Sequence, residues 1–257
     1  MILTIDIGNS NVNVGLFEGE NLVSVFTFST DTKRTAEQYA IELKAAAELK
    51  GQSLASVDGA IISSVVPPLT STAKKAVKLL CGVDALVLGP GVKNGLNIKI
   101  DNPAQLGADL VADAVGALAH YPTPCLVIDL GTATKISVID KAGAYRGCTI
   151  SAGVKISLAA LADKTAQLPA IDLSVSECPA YGTNTVHSMQ AGILLGTACM
   201  LDGLCDRIED SLGEKIASVV ATGGISGNII PHLKRKVDYA PYLILEGLRV
   251  IYEKNCR

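Results

Sequence analysis

The chain of 257 residues contains no tryptophan, and aromatic residues make up only 4% of it. Its net charge is −3, and its compact basic runs include the short stretches Lys74-Lys75 and Lys234-Arg235-Lys236. A nucleic-acid surface needs clustered cationic side chains and stacking rings. The composition therefore argues against a nucleic-acid partner, and the two basic runs are typical of solvated surface.

The sequence also lacks the cysteine and histidine spacings of a disulfide framework or a zinc site. Its seven cysteines are widely spaced and never form a Cys-x-x-Cys pair, and its three histidines have no metal-like spacing. We expect reduced and mostly buried cysteines. The first residues carry no basic region and reach an acidic residue at Asp6, unlike a signal peptide. These features predict a cytoplasmic protein.

A long hydrophobic run is missing as well. The most apolar stretch, residues 188–201, is interrupted by Gln190 and Thr197 and ended by Asp202. A membrane helix needs about 20 consecutive apolar residues. We therefore expect a buried core helix here and no membrane partner. Apolar residues still make up 49% of the chain, which is enough for the cores of two ordinary domains.

What the sequence does contain is a short pattern that occurs twice, as IDIGNSN at residues 5–11 and as IDLGTAT at residues 128–134. Each copy is an apolar strand that ends in Asp, turns at Gly and continues through hydroxyl or amide residues into a second apolar strand. The carboxylate can position a hydrated divalent cation, the glycine lets backbone N–H groups approach an anion, and the hydroxyl adds a donor. One Asp-x-Gly turn is a weak signal. Two copies in matching context predict a pair of phosphate-binding loops.

The two copies indicate a duplicated domain. Asp129 follows Asp6 by 123 residues, about half the chain length, so each half carries one phosphate loop and ATP is expected between the halves. The proline-rich stretch 121–124 marks the boundary. The predicted domains are residues 1–121, with the first phosphate loop, and residues 122–257, with the second.

Hydrophobic periodicity predicts the same order of elements in both halves. In the first half we expect strands at 2–7, 11–18, 22–28, 57–64 and 85–88 and helices at 35–49, 69–80 and 105–120. In the second half we expect strands at 125–129, 135–140, 144–150 and 216–222, helices at 154–163 and 186–211, and a final element at 243–254. This arrangement resembles the actin-like ATPase and sugar-kinase superfamily. It predicts an α/β fold of duplicated actin-like ATPase (ribonuclease H-like) domains, with mixed sheets, helices on both faces and an inter-domain cleft.

Phosphoryl transfer to a hydroxyl needs a phosphate cradle, a divalent cation and a carboxylate near the acceptor. The first loop, with Asp6, offers the cradle and a position for the cation, and Thr132 offers a second clamp. Asp109 follows Gly107 at the beginning of an apolar helix, so it is the candidate general base. The alternative is that Asp109 only caps this helix.

Other motifs admit a structural role beside a functional one. Asp113 fits a surface or domain-facing polar residue. The Gly223-Gly224 pair could approach an adenine ring or form a plain turn, and residues 182–185 supply both hydroxyls and a helix cap. The Gly192-x-x-x-Gly196 spacing favours close helix packing.

Several of these segments together carry a family resemblance. They are residues 6–11, 63–67, 102–103 with 107–109, 129–134, 165–169, 182–189 and 246–252. In order, and over essentially the whole chain, they resemble type III pantothenate kinase. The resemblance implies ATP-dependent phosphorylation of pantothenate, the first step towards coenzyme A, by a homodimer that uses Mg²⁺ and a monovalent cation, K⁺ or NH₄⁺.

The resemblance also assigns roles to individual residues. It implies that ATP phosphates are bound by Thr132 and by the first loop, which comprises Asp6, Ile7, Gly8, Asn9, Ser10, Asn11, Val12 and Asn13. Asp6 would hold Mg²⁺ through water, and Asp129 would be the K⁺ ligand. Asp109 would be the general base, and the pantothenate site would be formed by Gly107, Ala108, Asp109, Leu110 and Thr185.

Three positions depart from the family pattern. Leu110 stands where the family usually has Arg, Ile100 where it has Tyr, and Lys135 where it has Thr. Leu110 and Ile100 lie in the part of the family pattern that contacts pantothenate, the phosphate acceptor, whereas the two phosphate loops match the pattern. The alternative hypothesis is therefore a non-catalytic paralogue of the same fold that acts as a regulatory or accessory protein.

Overall fold

The structure is a computed structural model that describes residues 1–174 and 178–256. Its internal contacts divide the chain into two units. The first unit comprises Met1–Leu96, Asp101–His120 and the C-terminal segment from Leu243. The second comprises Asn97–Ile100 and Tyr121–Tyr242. The predicted domains, residues 1–121 and 122–257, stay a prediction; the contact division places residues 97–100 in the second unit and the segment from Leu243 in the first.

The strands and helices follow in chain order. The strands are β1 (Ile2–Ile7), β2 (Asn11–Glu18), β3 (Asn21–Ser29), β4 (Gly59–Ser64), β5 (Leu86–Val87), β6 (Asn97–Ile98), β7 (Cys125–Leu130), β8 (Ala133–Ile139), β9 (Ala144–Ala152), β10 (Ser218–Thr222) and β11 (Asp238–Tyr239). The helices are α1 (Ala36–Leu49), α2 (Pro67–Cys81), α3 (Ala108–His120), α4 (Val154–Lys164), α5 (Thr185–Leu212), α6 (Ser226–Ile229) and α7 (Leu243–Cys256).

Local capping signals explain where the longer helices begin and end. Thr35 and Gln38 form a capping box before α1, because each side chain accepts a hydrogen bond from the other residue's backbone N–H. Asn184 caps α5 by accepting from the His187 N–H at 2.9 Å. Gly213 ends α5 with a φ of 65°, which favours glycine. Pro103 begins a short 3₁₀ turn, so α3 begins at Ala108 and not at the predicted residue 105.

The two sheets have the same strand order. In the first unit the order is β3-β2-β1-β4-β5, and β1 pairs antiparallel with β2 and parallel with β4. In the second unit the order is β11-β10-β7-β8-β9, with β6 added beyond β9. β7 pairs antiparallel with β8 and parallel with β10, as β1 does with β2 and β4. The predicted duplicated α/β fold is therefore confirmed, because each of the five strands of the first sheet has an equivalent in the second.

Each sheet buries an apolar core against its helices. In the first unit, alternate residues of β1 (Leu3, Ile5 and Ile7) lie in a cluster with side chains of α1 and α2. In the second unit, Ile128 and Leu130 of β7 lie in a cluster with residues of α5. The phosphate-loop strands β1 and β7 are thus central strands fixed by buried neighbours.

The exposure of α5 and of the cysteines differs from the expectation. Within the described residues, α5 is long and apolar enough to cross a membrane by length and composition, and 39% of its most apolar window is buried in the chain. One side of α5 is packed in the core, and the other side is exposed. Among the cysteines, Cys125 and Cys205 are buried, but Cys148, Cys199 and Cys256 are exposed, so the expectation of mostly buried cysteines was wrong. Burial raises the pKa of the Cys205 thiol to about 11.

α3 and α7 approach each other through two glycines. A Cβ at Gly247 would lie 1.9 Å from the Ala112 carbonyl oxygen, and one at Gly116 would lie 2.5 Å from the Leu243 carbonyl oxygen. Because backbone meets backbone, neither helix can move aside for a side chain. This contact places α7 in the first unit.

We therefore expect Gly247→Ala to lower the free energy of unfolding by about 1–3 kcal/mol or more, the usual cost of overpacking. Gly227→Ala is the matched control, because a Cβ at Gly227 meets nothing within 4 Å. Urea unfolding followed by circular dichroism measures both. If Gly247→Ala and the parent had the same urea midpoint of unfolding, the close contact between α3 and α7 would be contradicted.

Candidate functional site

The first phosphate loop joins β1 to β2 and is held by backbone hydrogen bonds. The Gly8 N–H donates to the Asn11 carbonyl oxygen at 2.9 Å. Thr30, the residue after β3, binds this loop through two hydrogen bonds. Its hydroxyl donates to the Gly8 carbonyl at 2.6 Å, and its N–H donates to the Ser10 carbonyl at 3.0 Å. Asn9, Ser10 and Asn11 are exposed. Their side chains are therefore presented on a fixed turn.

Asp6 lies beside this loop on β1. Its side chain is buried at 7% exposure, and in the sheet it stands opposite Asn13 of β2 and Ser63 of β4. Both residues paired with Asp6 across the sheet therefore have polar but uncharged side chains. Among the described residues, no group of three or more His, Cys, Asp or Glu could hold a metal ion. A single carboxylate fits Mg²⁺, which keeps several waters and binds through one or two carboxylates plus substrate phosphates.

The second phosphate loop joins β7 to β8 and is held against a neighbouring backbone. The Gly131 N–H donates to the Ala133 carbonyl at 3.2 Å, and the Gly153 N–H donates to the Thr132 carbonyl at 3.2 Å. A Cβ at Gly153 would lie 2.2 Å from that Thr132 oxygen. Gly223 has a φ of 96°, and a Cβ added to it would lie 2.6 Å from the Leu130 backbone. Gly223 thus has a structural role in supporting this loop.

The two loops differ in length. In the first hairpin Ile7 is the register partner of Val12, whereas in the second Leu130 is the partner of Thr134. The first loop is one residue longer between its paired ends. As a result, Asp6 faces Asn13, whereas Asp129 faces Lys135.

Asp129 forms an ion pair across the sheet. The Lys135 Nζ lies 2.7 Å from the Asp129 Oδ2, and the two side chains are only 14% and 18% exposed. The resemblance assigns a potassium ion to the same carboxylate. The residue pair present here does not fit that ion well, because an ammonium group already lies at one of the carboxylate oxygens.

Asp109 lies in the first turn of α3. Its Oδ1 accepts a hydrogen bond from the Leu110 N–H at 2.9 Å, so it does contact the helix end. A Cβ at Gly107 would lie 2.4 Å from the same Oδ1, so glycine leaves the space that the carboxylate occupies. Asp113, one turn later, is 2% exposed, so the surface alternative is wrong for it and the domain-facing alternative stays a prediction.

An open pocket in the second unit surrounds Thr185. Its volume is about 660 Å³. Its lining combines apolar and polar side chains: Leu161, Leu168, Gly182, Thr183, Asn184, Thr185, Ser188, Met189, Gly192 and Ile193. Of these, only Thr185 was predicted as a substrate contact. Leu168, Gly182, Thr183, Asn184, Ser188 and Met189 lie in the segments 165–169 and 182–189 that carry the family resemblance, whereas Leu161, Gly192 and Ile193 lie outside them.

The structure distributes the predicted residues between the units. The first loop and residues 107–110 belong to the first unit, whereas Asp129, Thr132 and Thr185 belong to the second. Leu110 is buried at 7% exposure. Gly192 and Gly196 meet nothing within 4 Å of their Cβ positions, so the described chain shows no close helix contact at this pair.

Comparison with known proteins gives consistent matches. A family model described as type III pantothenate kinase matches residues 2–207. A type III pantothenate kinase from Exiguobacterium is 39% identical over 255 residues, which cover 99% of each chain.

Solved structures with low sequence identity share the fold. A conserved protein described as a putative Baf family transcriptional activator from Campylobacter jejuni has a TM-score of 0.62 at 19% identity and covers 98% of both chains. An activator of 2-hydroxyisocaproyl-CoA dehydratase from Clostridium difficile has a TM-score of 0.63 at 14% identity, covering 98% of this chain and 94% of the other. These likenesses concern the fold alone, and they confirm the predicted actin-like ATPase class.

We expect Gly153→Ala to weaken ATP binding about tenfold or more, because its Cβ would push the Thr132 backbone away and the loss of one hydrogen bond to a charged phosphate costs about 1.5–3 kcal/mol. Gly227→Ala again serves as control. Calorimetric titration with Mg·ATP measures the affinity, and far-ultraviolet circular dichroism checks the fold. A folded Gly153→Ala protein with parent affinity would exclude a role for this loop in ATP binding.

Proposed function

This chain belongs to the type III pantothenate kinase family and catalyses the ATP-dependent phosphorylation of pantothenate in coenzyme A biosynthesis. From that premise we propose which of its residues carry the reaction. The observation that supports the proposal is the pair of phosphate loops on β1-β2 and β7-β8, equivalent strands of two sheets with the same order.

The first loop binds the ATP phosphates in this proposal. Its exposed Asn9, Ser10 and Asn11 supply amide and hydroxyl donors, and Thr132 of the second loop supplies another hydroxyl. Asp6 holds Mg²⁺ through water. When bound, the ion neutralises charge on the phosphate oxygens. Asp6 suits this task because it is fixed on a central strand next to uncharged residues.

Asp109 is the general base in this proposal. A carboxylate that accepts the proton of the pantothenate hydroxyl makes that oxygen a better nucleophile towards the γ-phosphorus. The Leu110 N–H holds one carboxylate oxygen at the helix N-terminus. Helix capping and catalysis are compatible, because the hydrogen bond fixes the orientation of the group that accepts the proton.

The pocket around Thr185 is the candidate acceptor site. Pantothenate carries hydroxyl, amide and carboxylate groups together with an apolar dimethyl centre. The lining offers hydroxyl and amide groups from residues 183–185 and Ser188 beside the apolar Leu161 and Met189. The described lining residues include no Lys or Arg. The acceptor is therefore held by neutral hydrogen bonds in this pocket.

We propose further that the protein is a homodimer formed through α5. One side of α5 packs on its sheet, and the other exposes Gly192, Gly196 and Cys199. Val186 near its start is 40% exposed, and a Cβ at Gly196 meets nothing within 4 Å. An apolar helix face lined by small residues allows a second helix to approach closely.

Cytoplasmic location, with no nucleic acid or membrane as partner, completes the proposal. ATP is the co-substrate, and ATP is supplied in the cytoplasm. The net charge of −3 opposes binding to the anionic backbone of nucleic acids. One side of α5 packs on the sheet, and in this proposal the second copy of the chain covers the other side, so neither side needs a membrane.

Asp109→Asn tests the general base. The protein should fold, because Asn has the size of Asp and its side-chain oxygen can accept the same hydrogen bond from the Leu110 N–H. Formation of phosphopantothenate from pantothenate, ATP and Mg²⁺ should fall about 10²- to 10⁴-fold. Asp101→Asn, which makes the same charge change at an exposed residue, is the control and should keep the parent rate.

The assay also decides between the alternatives. Parent turnover by Asp109→Asn would leave Asp109 with the capping role alone. Absence of product from the parent protein itself would favour the non-catalytic paralogue.

Gly196→Arg tests the dimer. The monomer has room for the side chain, but a second helix against the same face does not, so the mass in solution should fall from twice 26.6 kDa to 26.6 kDa. Gly227→Arg, at an exposed glycine of α6, should keep the parent mass. Size-exclusion chromatography with light scattering measures the mass. A dimeric Gly196→Arg protein would contradict the proposed face.

A further inference from the structure

A lysine ammonium lies at the base of the second phosphate loop. Lys135 is the register partner of Asp129 across the β7-β8 pair, and its Nζ is 2.7 Å from the Asp129 Oδ2. On the other side of Asp129, Thr222 of β10 is its register partner. Because register partners present their side chains on the same face of a sheet, the lysine and the carboxylate are held together by the strands themselves.

The same carboxylate touches the turn that binds phosphate in the proposed function. The Cβ position of Gly131 is 3.3 Å from the Asp129 Oδ1. One carboxylate oxygen therefore lies against the loop, and the other lies against the ammonium. Both side chains are mostly buried, at 18% and 14% exposure, so solvent screens the pair less than it screens a surface pair.

This geometry leaves a potassium ion poorly matched to the site. A monovalent cation bound to Asp129 would lie close to the ammonium and be repelled by it. The carboxylate charge that would attract the ion is already balanced by Lys135. The lysine occurs where the family usually has Thr, a side chain that carries no charge.

We infer that the Lys135 ammonium takes the place of the monovalent cation, so that the phosphorylation of pantothenate by this protein does not require K⁺. An ammonium carries the charge of a potassium ion as a compact group with three N–H donors. Its position is set by β8, so the site is formed when the chain folds and needs no ion from solution. This inference rests on the proposed ATP-binding role of the second loop.

A bound cation and a fixed one respond differently to the salt in the medium. The parent protein, freed of K⁺ and NH₄⁺ and supplied with ATP as its Tris salt, should form phosphopantothenate at the same rate in choline, sodium and potassium chloride of equal ionic strength. A steep rise of the parent rate with K⁺ would overturn the inference.

Lys135→Thr should convert the protein into a potassium-dependent one. In choline chloride its rate should fall about 10- to 100-fold, the range expected for the loss of one charge-assisted contact. Potassium or ammonium chloride should restore much of the rate, because the Asp129 carboxylate then accepts the ion. Lys135→Met, which keeps the length of the side chain without its charge, should be slow in every salt. A parent-like rate for Lys135→Met in choline chloride would also overturn the inference.

Thermal unfolding of the nucleotide-free proteins gives a readout independent of turnover. The melting temperature of the parent should be equal in choline and potassium chloride, whereas that of Lys135→Thr should be about 2 °C or more higher in potassium chloride. Lys141→Thr makes the same substitution at an exposed residue after β8 and should behave as the parent in both salts. Equal melting temperatures of Lys135→Thr in the two salts would overturn the inference.

The two measurements separate the inference from the function on which it rests. If the parent makes no phosphopantothenate in any salt, the proposed function fails, and the melting temperatures still decide whether Lys135 occupies a cation site.

Discussion

Direct contact between backbones around the second phosphate loop is the constraint on which the site depends. The loop carbonyl of Thr132 accepts from the Gly153 N–H, and Gly223 lies against the Leu130 backbone. No side chain separates these peptide groups, so the loop has the shape that the neighbouring strand ends impose on it. The first loop reaches the same result differently, because the hydroxyl and N–H of Thr30 bind its carbonyl groups. Both loops are thus held by hydrogen bonds within the protein, and in the proposed function this reduces the cost of ordering their donors when ATP binds.

The duplicated strands carry different electrostatics at equivalent places. Asp6 and Asp129 lie on the central strands β1 and β7, but Asp6 faces Asn13 and Asp129 faces Lys135. Asn13 adds no charge beside Asp6. A lysine partner balances the charge of Asp129 within the protein. The two hairpins therefore place different groups beside equivalent carboxylates, an amide in one and an ammonium in the other.

The fold alone does not define the acceptor. Proteins described as a dehydratase activator and a transcriptional activator share this fold at 14% and 19% identity. The match to a type III pantothenate kinase extends over 99% of the chain, and it is this match that identifies the reaction. Side chains rather than strand order decide what enters the pocket around Thr185. That pocket combines hydroxyl, amide and apolar groups.

The sequence by itself determined the elements whose signals are local. The bounds of β1 and β2 were predicted as observed, and α1 and α5 were predicted within one residue of each end. Alternating burial, capping boxes and terminal glycines are properties of neighbouring residues, so they can be read without the fold. The repeated Asp-x-Gly pattern is equally local, which is why the two hairpins β1-β2 and β7-β8 were both predicted.

Only the tertiary structure decided what depends on distant partners. β6 and β11 are two residues long and exist through pairing with β9 and β10, so no periodicity could predict them. The C-terminal helix joins the first unit because Gly247 lets it approach Ala112. The contact between Lys135 and Asp129 follows from the register of β7 on β8. Register is fixed by the buried face of the whole sheet, and a one-residue shift would turn every side chain to the other face. The sequence thus supplied the charged groups, and the packing of the sheet decided which of them meet.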